Sequence, residues 1–353
     1  MIDLQNRFAF IFIGMIVFPI AVLLTTRKRE KVSADIISYD STIALRGVAA
    51  LIIAIGHFSN HVINPGIMKL YSPVTGYSVS LFLFLSGYSL EKQFISNKNY
   101  LTGFIKTRIT RIYVPWIVAV CILAVLHRVD DFHKIIQSLL MFKTIYAMDK
   151  FNWYVLAILY FYLVFYLVSK MISDRGIKRI CFISFSVAWF VFCVLRNKGV
   201  EWYNNSMLFP FGIYIADNEE KYAECLNALS GIKRTAGAAF LLIVSAILYI
   251  VAQLTKTHVV ISNIIWNFGG ISFVLFILFA LTLIEIRSRV LMRAGNASYE
   301  IFLMSTGIVL WYYSIFEATW WSPVTMFALW IVIVCIDVMI TRFLVKRVKK
   351  MMQ

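Results

Sequence analysis

Charged residues are scarce in this chain and apolar runs are long. Only 15% of the 353 residues are charged, whereas 61% are hydrophobic. Soluble globular domains carry about 25% charged residues, so this composition excludes a soluble globular protein. The mean hydropathy of +0.79 agrees. The composition therefore predicts a polytopic membrane protein.

Cysteine is also rare, and its pattern excludes two kinds of site. The chain has five cysteines, an odd number, and none of them are spaced like metal ligands. We therefore predict neither a disulfide framework nor a metal site, and interpret the cysteines as small apolar fillers. No repeat of fixed period and no low-complexity segment is present.

Acidic residues are few, and the net charge is consequently +16. A basic excess of this size suggests a nucleic-acid partner. However, the basic residues punctuate apolar segments and form no patch interleaved with aromatic residues. We therefore predict no nucleic-acid partner and interpret these residues as anchors at the membrane surface.

Apolar segments recur along the chain and predict an all-α, polytopic membrane bundle of about eleven transmembrane helices. The segments are about 8–26, 42–63, 75–93, 112–128, 152–172, 180–197, 206–217, 235–255, 260–286, 297–316 and 321–343. The segment 206–217 is short for a span. The stretch 129–150 is too polar to cross a membrane and is expected to form an amphipathic external loop-helix.

The distribution of basic residues predicts the orientation. The first segment is followed, not preceded, by a basic cluster, the reverse of a cleavable signal peptide. With the N-terminus outside and the C-terminus inside, the inner loops hold 24 of the 34 lysines and arginines, as the positive-inside rule requires. Residues 1–31 then form an extra N-terminal helix with its basic flank, and residues 32–353 form the main membrane domain.

One predicted span carries an arginine near its inner end and a histidine eleven residues later. Arg46 and His57 would lie roughly 16 Å apart along the helix and on nearly the same face. Ionisable groups inside a span are expensive and often functional. The structural alternatives are an interfacial anchor for Arg46 and a buried neutral histidine for His57. His61, one turn later, is expected at the outer interface.

Six motifs resemble the acyltransferase 3 family of membrane O-acyltransferases. In chain order they are Leu45-Arg46-Gly47 followed by His57-Phe58, Ser86-Gly87-Tyr88, Arg108-Ile109-Thr110-Arg111-Ile112 with Pro115, Trp153-Tyr154-Val155-Leu156, Phe209-Pro210-Phe211-Gly212, and Gly295-Asn296-Ala297-Ser298-Tyr299. Each motif is weak alone, but the order and spacing hold across about 40–345. The resemblance implies a ten-helix core, to which the first span is an addition.

The chain departs from the family's pattern at three positions. Ile43 stands where many members have an acidic residue, the helix after Trp153 lacks a glutamate, and Ser305 stands where many have a late histidine. Roles assigned through those positions do not transfer to this chain.

The resemblance implies a reaction as well as a fold. It predicts that an acetyl group passes from cytoplasmic acetyl-CoA to a hydroxyl of a cell-surface polysaccharide or its lipid-linked precursor. The protein would be a multi-pass protein of the inner (plasma) membrane of a bacterium. No resident cofactor is expected, because acetyl-CoA acts as the donor co-substrate.

The candidate site residues follow from the same motifs. His57 would be the general base or a transient acyl carrier, and Arg46 would be the second catalytic residue, holding or orienting the donor. Arg108 and Arg111 lie three residues apart at the inner mouth and suit phosphates; plain membrane anchoring is the alternative. The other candidates are Lys106, Ser86 and Tyr299 for the donor and Trp153 and His61 for the acceptor. Close helix packing is the alternative for Ser86, and a place in the aromatic belt is the alternative for Trp153.

Two other functions stay open on the sequence alone. One is a transporter or flippase of a polar solute or lipid-linked sugar, with His57 as a proton relay. The other is a membrane partner protein that has lost activity. Binding of acetyl-CoA would separate the enzyme from the transporter.

Overall fold

The computed structural model describes residues 2, 8–29, 36–141, 152–317, 319 and 322–351. Most of the described chain is helical. The helices are α1 (Phe8–Phe12), α2 (Phe18–Leu23), α3 (Tyr39–Ser59), α4 (Tyr71–Ser96), α5 (Phe104–Leu126), α6 (Phe132–Leu139), α7 (Asn152–Met171), α8 (Arg175–Leu195), α9 (Leu208–Asp217), α10 (Glu219–Asn227), α11 (Gly231–Leu254), α12 (Val259–Leu283), α13 (Arg289–Asn296), α14 (Ser298–Ile315) and α15 (Ser322–Met351).

Each of the eleven predicted spans overlaps at least one of these helices, and the first, 8–26, contains both α1 and α2. Within the described residues, seven helices are long and apolar enough to cross a membrane: α3, α5, α7, α8, α11, α12 and α15. The first segment and α9 are shorter apolar helices. The prediction of an all-α polytopic membrane bundle is confirmed, whereas the inside–outside orientation stays a prediction. We call the end of the bundle at which α3 begins the Arg46 face; the orientation predicts that it is cytoplasmic.

Glycines let the central helices pack backbone against backbone. A Cβ on Gly87 of α4 would overlap the carbonyl oxygen of Phe209, and a Cβ on Gly212 of α9 would overlap a carbonyl oxygen of α4. Gly47 of α3 and Gly295 of α13 approach one another's helices in the same way. Because only glycine fits such contacts, these four motif residues fix the positions of α3, α4, α9 and α13.

The N-terminal helical segment packs against the far ends of α3 and α4. The ring of Phe10 meets that of Phe58 edge-on, with centroids 4.4 Å apart, and the Tyr71 hydroxyl donates to the Gly14 carbonyl at 2.6 Å. A short antiparallel pair, β1 (Thr26–Lys28) and β2 (Ile284–Ile286), then joins this segment to the end of α12. The sequence did not indicate this pair.

The predicted polar loop-helix is present in part. Helix α6 covers Phe132–Leu139, and Asp131 caps its N-terminus by accepting from the backbone N–H groups of His133 and Lys134. These hydrogen bonds lower the pKa of Asp131. The remainder of this predicted segment, 142–150, lies outside the described residues.

Candidate active site

Helix α3 carries the Arg46 and His57 pair as the sequence predicts. Ser38 caps the helix by accepting from the backbone N–H of Ser41. The helix then runs without interruption from Tyr39 to Ser59. The axial separation of Arg46 and His57 is therefore roughly the 16 Å expected from the rise of an α-helix.

A deep cavity of about 120 Å³ lies beside Arg46. Three predicted site residues from three different helices line it: Arg46 of α3, Ser86 of α4 and Tyr299 of α14. Its remaining walls are mostly aromatic and aliphatic: Phe82, Ile112, Tyr154, Ile158, Tyr162, Ser298 and Phe302. The cavity therefore joins one guanidinium and several hydroxyls within an otherwise apolar shell.

The lining residues on helix α7 show the direction in which this cavity extends. Tyr154, Ile158 and Tyr162 follow one another at four-residue intervals, so they form one stripe about 12 Å long. Tyr162 lies on the Arg46 side of the stripe, because it also lines the wider cavity described next. The deep cavity thus extends from the Arg46 face toward the opposite side of the bundle.

A wider cavity of about 370 Å³ opens toward the Arg46 face. It shares Arg46, Ser86 and Tyr162 with the deep cavity, so the two cavities adjoin at these three side chains. Arg108 and Arg111 line this mouth. The structure thus brings five of the predicted site residues to two adjoining cavities: Arg46, Ser86, Arg108, Arg111 and Tyr299.

Arg46 is held loosely by the protein. Its Nη2 lies 3.4 Å from the carbonyl oxygen of Leu85 and 3.5 Å from Oγ of Ser89. Both contacts are at the long limit of hydrogen bonds. Within the described residues Arg46 has no salt bridge. Most of its five N–H donors are therefore available to an anionic or carbonyl group in the cavity.

Arg108 is held by aromatic rings rather than by a carboxylate. Its guanidinium carbon lies 5.8 Å from the centroid of Tyr100, 5.2 Å from that of Phe104 and 5.5 Å from that of Tyr162. It also donates to the Tyr100 hydroxyl. Burial raises the pKa of that phenol, and Arg108 opposes the shift. Aromatic packing orients the guanidinium while its positive charge stays uncompensated by any acid in the described chain.

A third, open groove continues from the mouth between α5, α14 and α15. It has a volume of about 790 Å³ and shares Arg111 and Asn296 with the mouth cavity. Its other basic residues are Arg342, Lys346 and Lys350, which recur every four residues and so share one face of α15. The predicted donor residue Lys106 is exposed and lines neither cavity nor this groove.

The sequence reasoning missed a polar cluster at the mouth. Lys92, which lines the mouth, forms a 2.7 Å salt bridge with Glu219 of α10. Glu219 also accepts from the Tyr88 hydroxyl at 2.5 Å and from the backbone N–H of Ile36 at 2.8 Å. This carboxylate therefore joins α4, α10 and the chain before α3. No local pattern indicates a contact between residues 127 positions apart.

His57 and His61 lie away from these cavities. His57 is half-buried and does not line the deep cavity, the mouth or the groove. Nδ1 of His61 lies 2.7 Å from the His57 carbonyl oxygen; since a carbonyl only accepts, this nitrogen carries the proton. The neighbouring Phe58 stacks on Tyr313 with centroids 5.8 Å apart, which fixes this end of α3 against α14.

Trp153 stands next to the deep cavity without lining it. Its ring centroid lies 5.7 Å from that of Tyr154 and 6.4 Å from that of Phe302. Both neighbours line the cavity. Trp153 therefore supports the far end of the cavity from behind.

Comparison with known proteins identifies one family. A family model described as an acyltransferase domain matches residues 39–341, which is most of the chain and includes every predicted site residue. No curated protein and no solved structure gives a significant match.

Proposed function

The chain belongs to the acyltransferase 3 family and is a multi-pass membrane acyltransferase, and we propose that it carries an acetyl group from cytoplasmic acetyl-CoA to a surface-glycan hydroxyl. The acceptor would be a cell-surface polysaccharide or its lipid-linked precursor. The membrane would be the inner membrane of a bacterium. The transporter alternative has no comparable support.

The observation that carries the proposal is the pair of adjoining cavities that leads inward from the Arg46 face. It is wide and basic at its mouth, with Lys92, Arg108 and Arg111, and narrow and mostly apolar inside. Coenzyme A has the matching order of groups, since its phosphates precede a slender thioester arm. Guanidinium groups at the mouth suit phosphates, and the narrow deep cavity suits the thioester arm.

The groove on α15 supports the same placement of the donor, with its phosphates at the Arg46 face. It adjoins the mouth through Arg111 and adds three further cations at four-residue spacing. A multiply phosphorylated donor needs several such contacts. Plain positive-inside anchoring requires basic residues near the membrane surface, but it requires neither a groove nor continuity with a deeper cavity.

His57 would transfer the acetyl group to the acceptor, toward the side of the bundle opposite the Arg46 face. As general base, it would take the proton from the acceptor hydroxyl while the oxygen attacks the thioester carbon. The C–S bond would break, and coenzyme A would leave as the thiolate, which then takes the proton from His57. As carrier, its unprotonated ring nitrogen would attack the thioester carbon and the C–S bond would break. Coenzyme A would leave as the thiolate and take the proton from the acylated ring. The acetyl group would then pass to the acceptor oxygen, whose proton returns to the ring.

The test is transfer of radiolabelled acetyl from acetyl-CoA to surface glycan in membranes. Wild type, His57→Ala and the control His258→Ala, an exposed histidine, are compared at matched expression. We expect label in wild type and in the control, and none in His57→Ala. Equal label in all three would remove His57 from catalysis, and no label with the right glycan supplied would contradict acetyl transfer.

A second measurement separates the two roles of His57. Without acceptor, a carrier accumulates labelled protein that hydroxylamine releases, whereas a general base leaves the protein unlabelled. Label retained in His57→Ala protein would place the acyl group elsewhere.

A further inference from the structure

A second polar cavity lies at the Arg46 face, on the side of α4 away from the donor mouth. It encloses about 200 Å³ between the end of α4, the start of α8 and the end of α9. Its ionisable residues are Glu91, Arg175, Lys178, Arg179 and Asp217. It shares no residue with the cavities around Arg46.

The charges in this cavity are only partly paired with each other. Arg179 forms a 3.2 Å salt bridge with Asp217, and the Lys178 ammonium lies over the Phe94 ring at 4.6 Å. Arg175 has no ion pair within the described chain. Glu91 is 4% exposed, and its Oε2 has no hydrogen-bond partner among the described residues. A buried, unpartnered carboxylate oxygen is costly and suggests a ligand that donates to it.

An apolar groove adjoins this cavity on the outer surface of the bundle, where Ile183 is exposed. It has a volume of about 370 Å³ and shares Arg179, Phe182 and Ile213 with the polar cavity. Ile183, which lines it, lies eight residues along α8 from Arg175, or about 12 Å deeper. The two spaces together form a site that is charged at the Arg46 face and apolar further in.

We propose that this site binds one phospholipid with an ammonium and a phosphate in its headgroup, of the phosphatidylethanolamine type. The phosphate lies on the side chains of Arg175 and Lys178 in the first turn of the 21-residue helix α8, whose backbone N-terminus is capped by Asp174. The ammonium donates to Oε2 of Glu91. One acyl chain occupies the groove along Phe182 and Ile183.

Charge complementarity selects this occupant. A free phosphate or a purely anionic headgroup satisfies the two cations but places a second negative charge beside Glu91. A trimethylammonium headgroup has the right charges but no N–H to donate to the carboxylate. An ammonium–phosphate headgroup satisfies both, and the apolar groove requires a lipid rather than a soluble zwitterion.

The first test needs no mutation. The full-length protein is delipidated in detergent, and binding of lipids with identical acyl chains is measured by native mass spectrometry. We expect phosphatidylethanolamine to bind about tenfold or more tightly than phosphatidylcholine or phosphatidylglycerol. Binding should fall stepwise through the mono- and dimethylated headgroups as N–H donors are lost. Equal binding along this series would overturn the proposal.

Variants then assign the headgroup contacts. Glu91→Gln, which keeps the shape of the buried side chain, should abolish the preference for phosphatidylethanolamine. The Arg175→Gln/Lys178→Gln double variant should weaken every phospholipid by about tenfold. The controls Glu224→Gln and Lys233→Gln are exposed and should bind as wild type does. A wild-type preference in Glu91→Gln would exclude the ammonium contact.

The groove proposed for the acyl chain is tested separately. Ile183→Trp fills the groove and should reduce phosphatidylethanolamine binding, whereas Val187→Trp, one turn further along α8 and also exposed, should not. Glycerophosphoethanolamine, which lacks acyl chains, should bind much more weakly than the lipid. Equal binding of the two would show that the groove takes no part.

Discussion

Replacing Arg46 with glutamine separates a structural role from a donor-binding role. In the structure its guanidinium makes only two long contacts, at 3.4 Å with Leu85 and 3.5 Å with Ser89. A net hydrogen bond contributes about 1 kcal/mol, and long ones contribute less. We therefore expect Arg46→Gln to change the free energy of unfolding by no more than about 1 kcal/mol.

The expected effect on donor binding is larger. A charge-assisted hydrogen bond in a water-poor cavity contributes about 1.5–3 kcal/mol. If Arg46 makes one such bond to the donor, its loss raises the dissociation constant of coenzyme A by about 10- to 150-fold. Arg46→Lys keeps the charge but loses the planar fork, so its effect should be intermediate.

The assay compares coenzyme A binding by calorimetry with thermal unfolding, both on detergent-purified protein. Arg289→Gln is the matched control, because Arg289 is exposed and lines none of the cavities around Arg46. Two results would refute the reasoning. One is an Arg46→Gln affinity equal to that of the control. The other is a loss of stability of several kcal/mol with unchanged affinity, which would make Arg46 a structural anchor.

Three further predictions follow from the packing and the mouth. Gly87→Ala forces a backbone contact apart, so it should lower the free energy of unfolding by about 1–3 kcal/mol and lower Tm. The control Gly231→Ala, whose Cβ would meet nothing within 4 Å, should leave Tm unchanged. A double-mutant cycle of Glu219→Gln and Lys92→Met should give a coupling of about 1 kcal/mol, since Lys92 is 34% exposed; additivity would contradict it. The Tyr299 hydroxyl has no partner among the described residues, so Tyr299→Phe should keep Tm and lower kcat; an unchanged kcat would remove the hydroxyl from the site.

The sequence predicted the helical bundle and much of the cavity for different reasons. Apolar runs reveal spans because a helix must satisfy its own backbone in lipid. The cavity residues Arg46, Ser86 and Tyr299 were found through motifs, and the motif glycines Gly47 and Gly87 explain part of why those motifs exist. They hold neighbouring helices close enough for the side chains beside them to face one space.

Other parts of the site depend on tertiary contacts that no local pattern encodes. Glu219 reaches Lys92 only because α9, which ends at Asp217, packs backbone against backbone on α4, and Tyr162 reaches Arg108 only because α7 packs on α5. The cavity that contains Glu91 is of the same kind. Its charges come from three helices, and each one alone resembles an ordinary basic or acidic residue at a membrane surface.

The length of α3 constrains how Arg46 and His57 share the reaction. Side chains on a helix lean toward its N-terminus, so Arg46 leans toward the Arg46 face and His57 leans toward the middle of the bundle. Their axial separation of roughly 16 Å far exceeds the reach of about 3 Å for one hydrogen bond. Both side chains therefore cannot contact the same thioester carbonyl in this conformation. If His57 acts at the acyl carbon, Arg46 must bind the donor elsewhere, and the two substitutions should differ in kind. Arg46→Gln should raise KM for the donor, whereas His57→Ala should lower kcat. If both substitutions lowered only kcat, the donor would have to move from Arg46 to His57 during the reaction, or α3 would have to change its conformation.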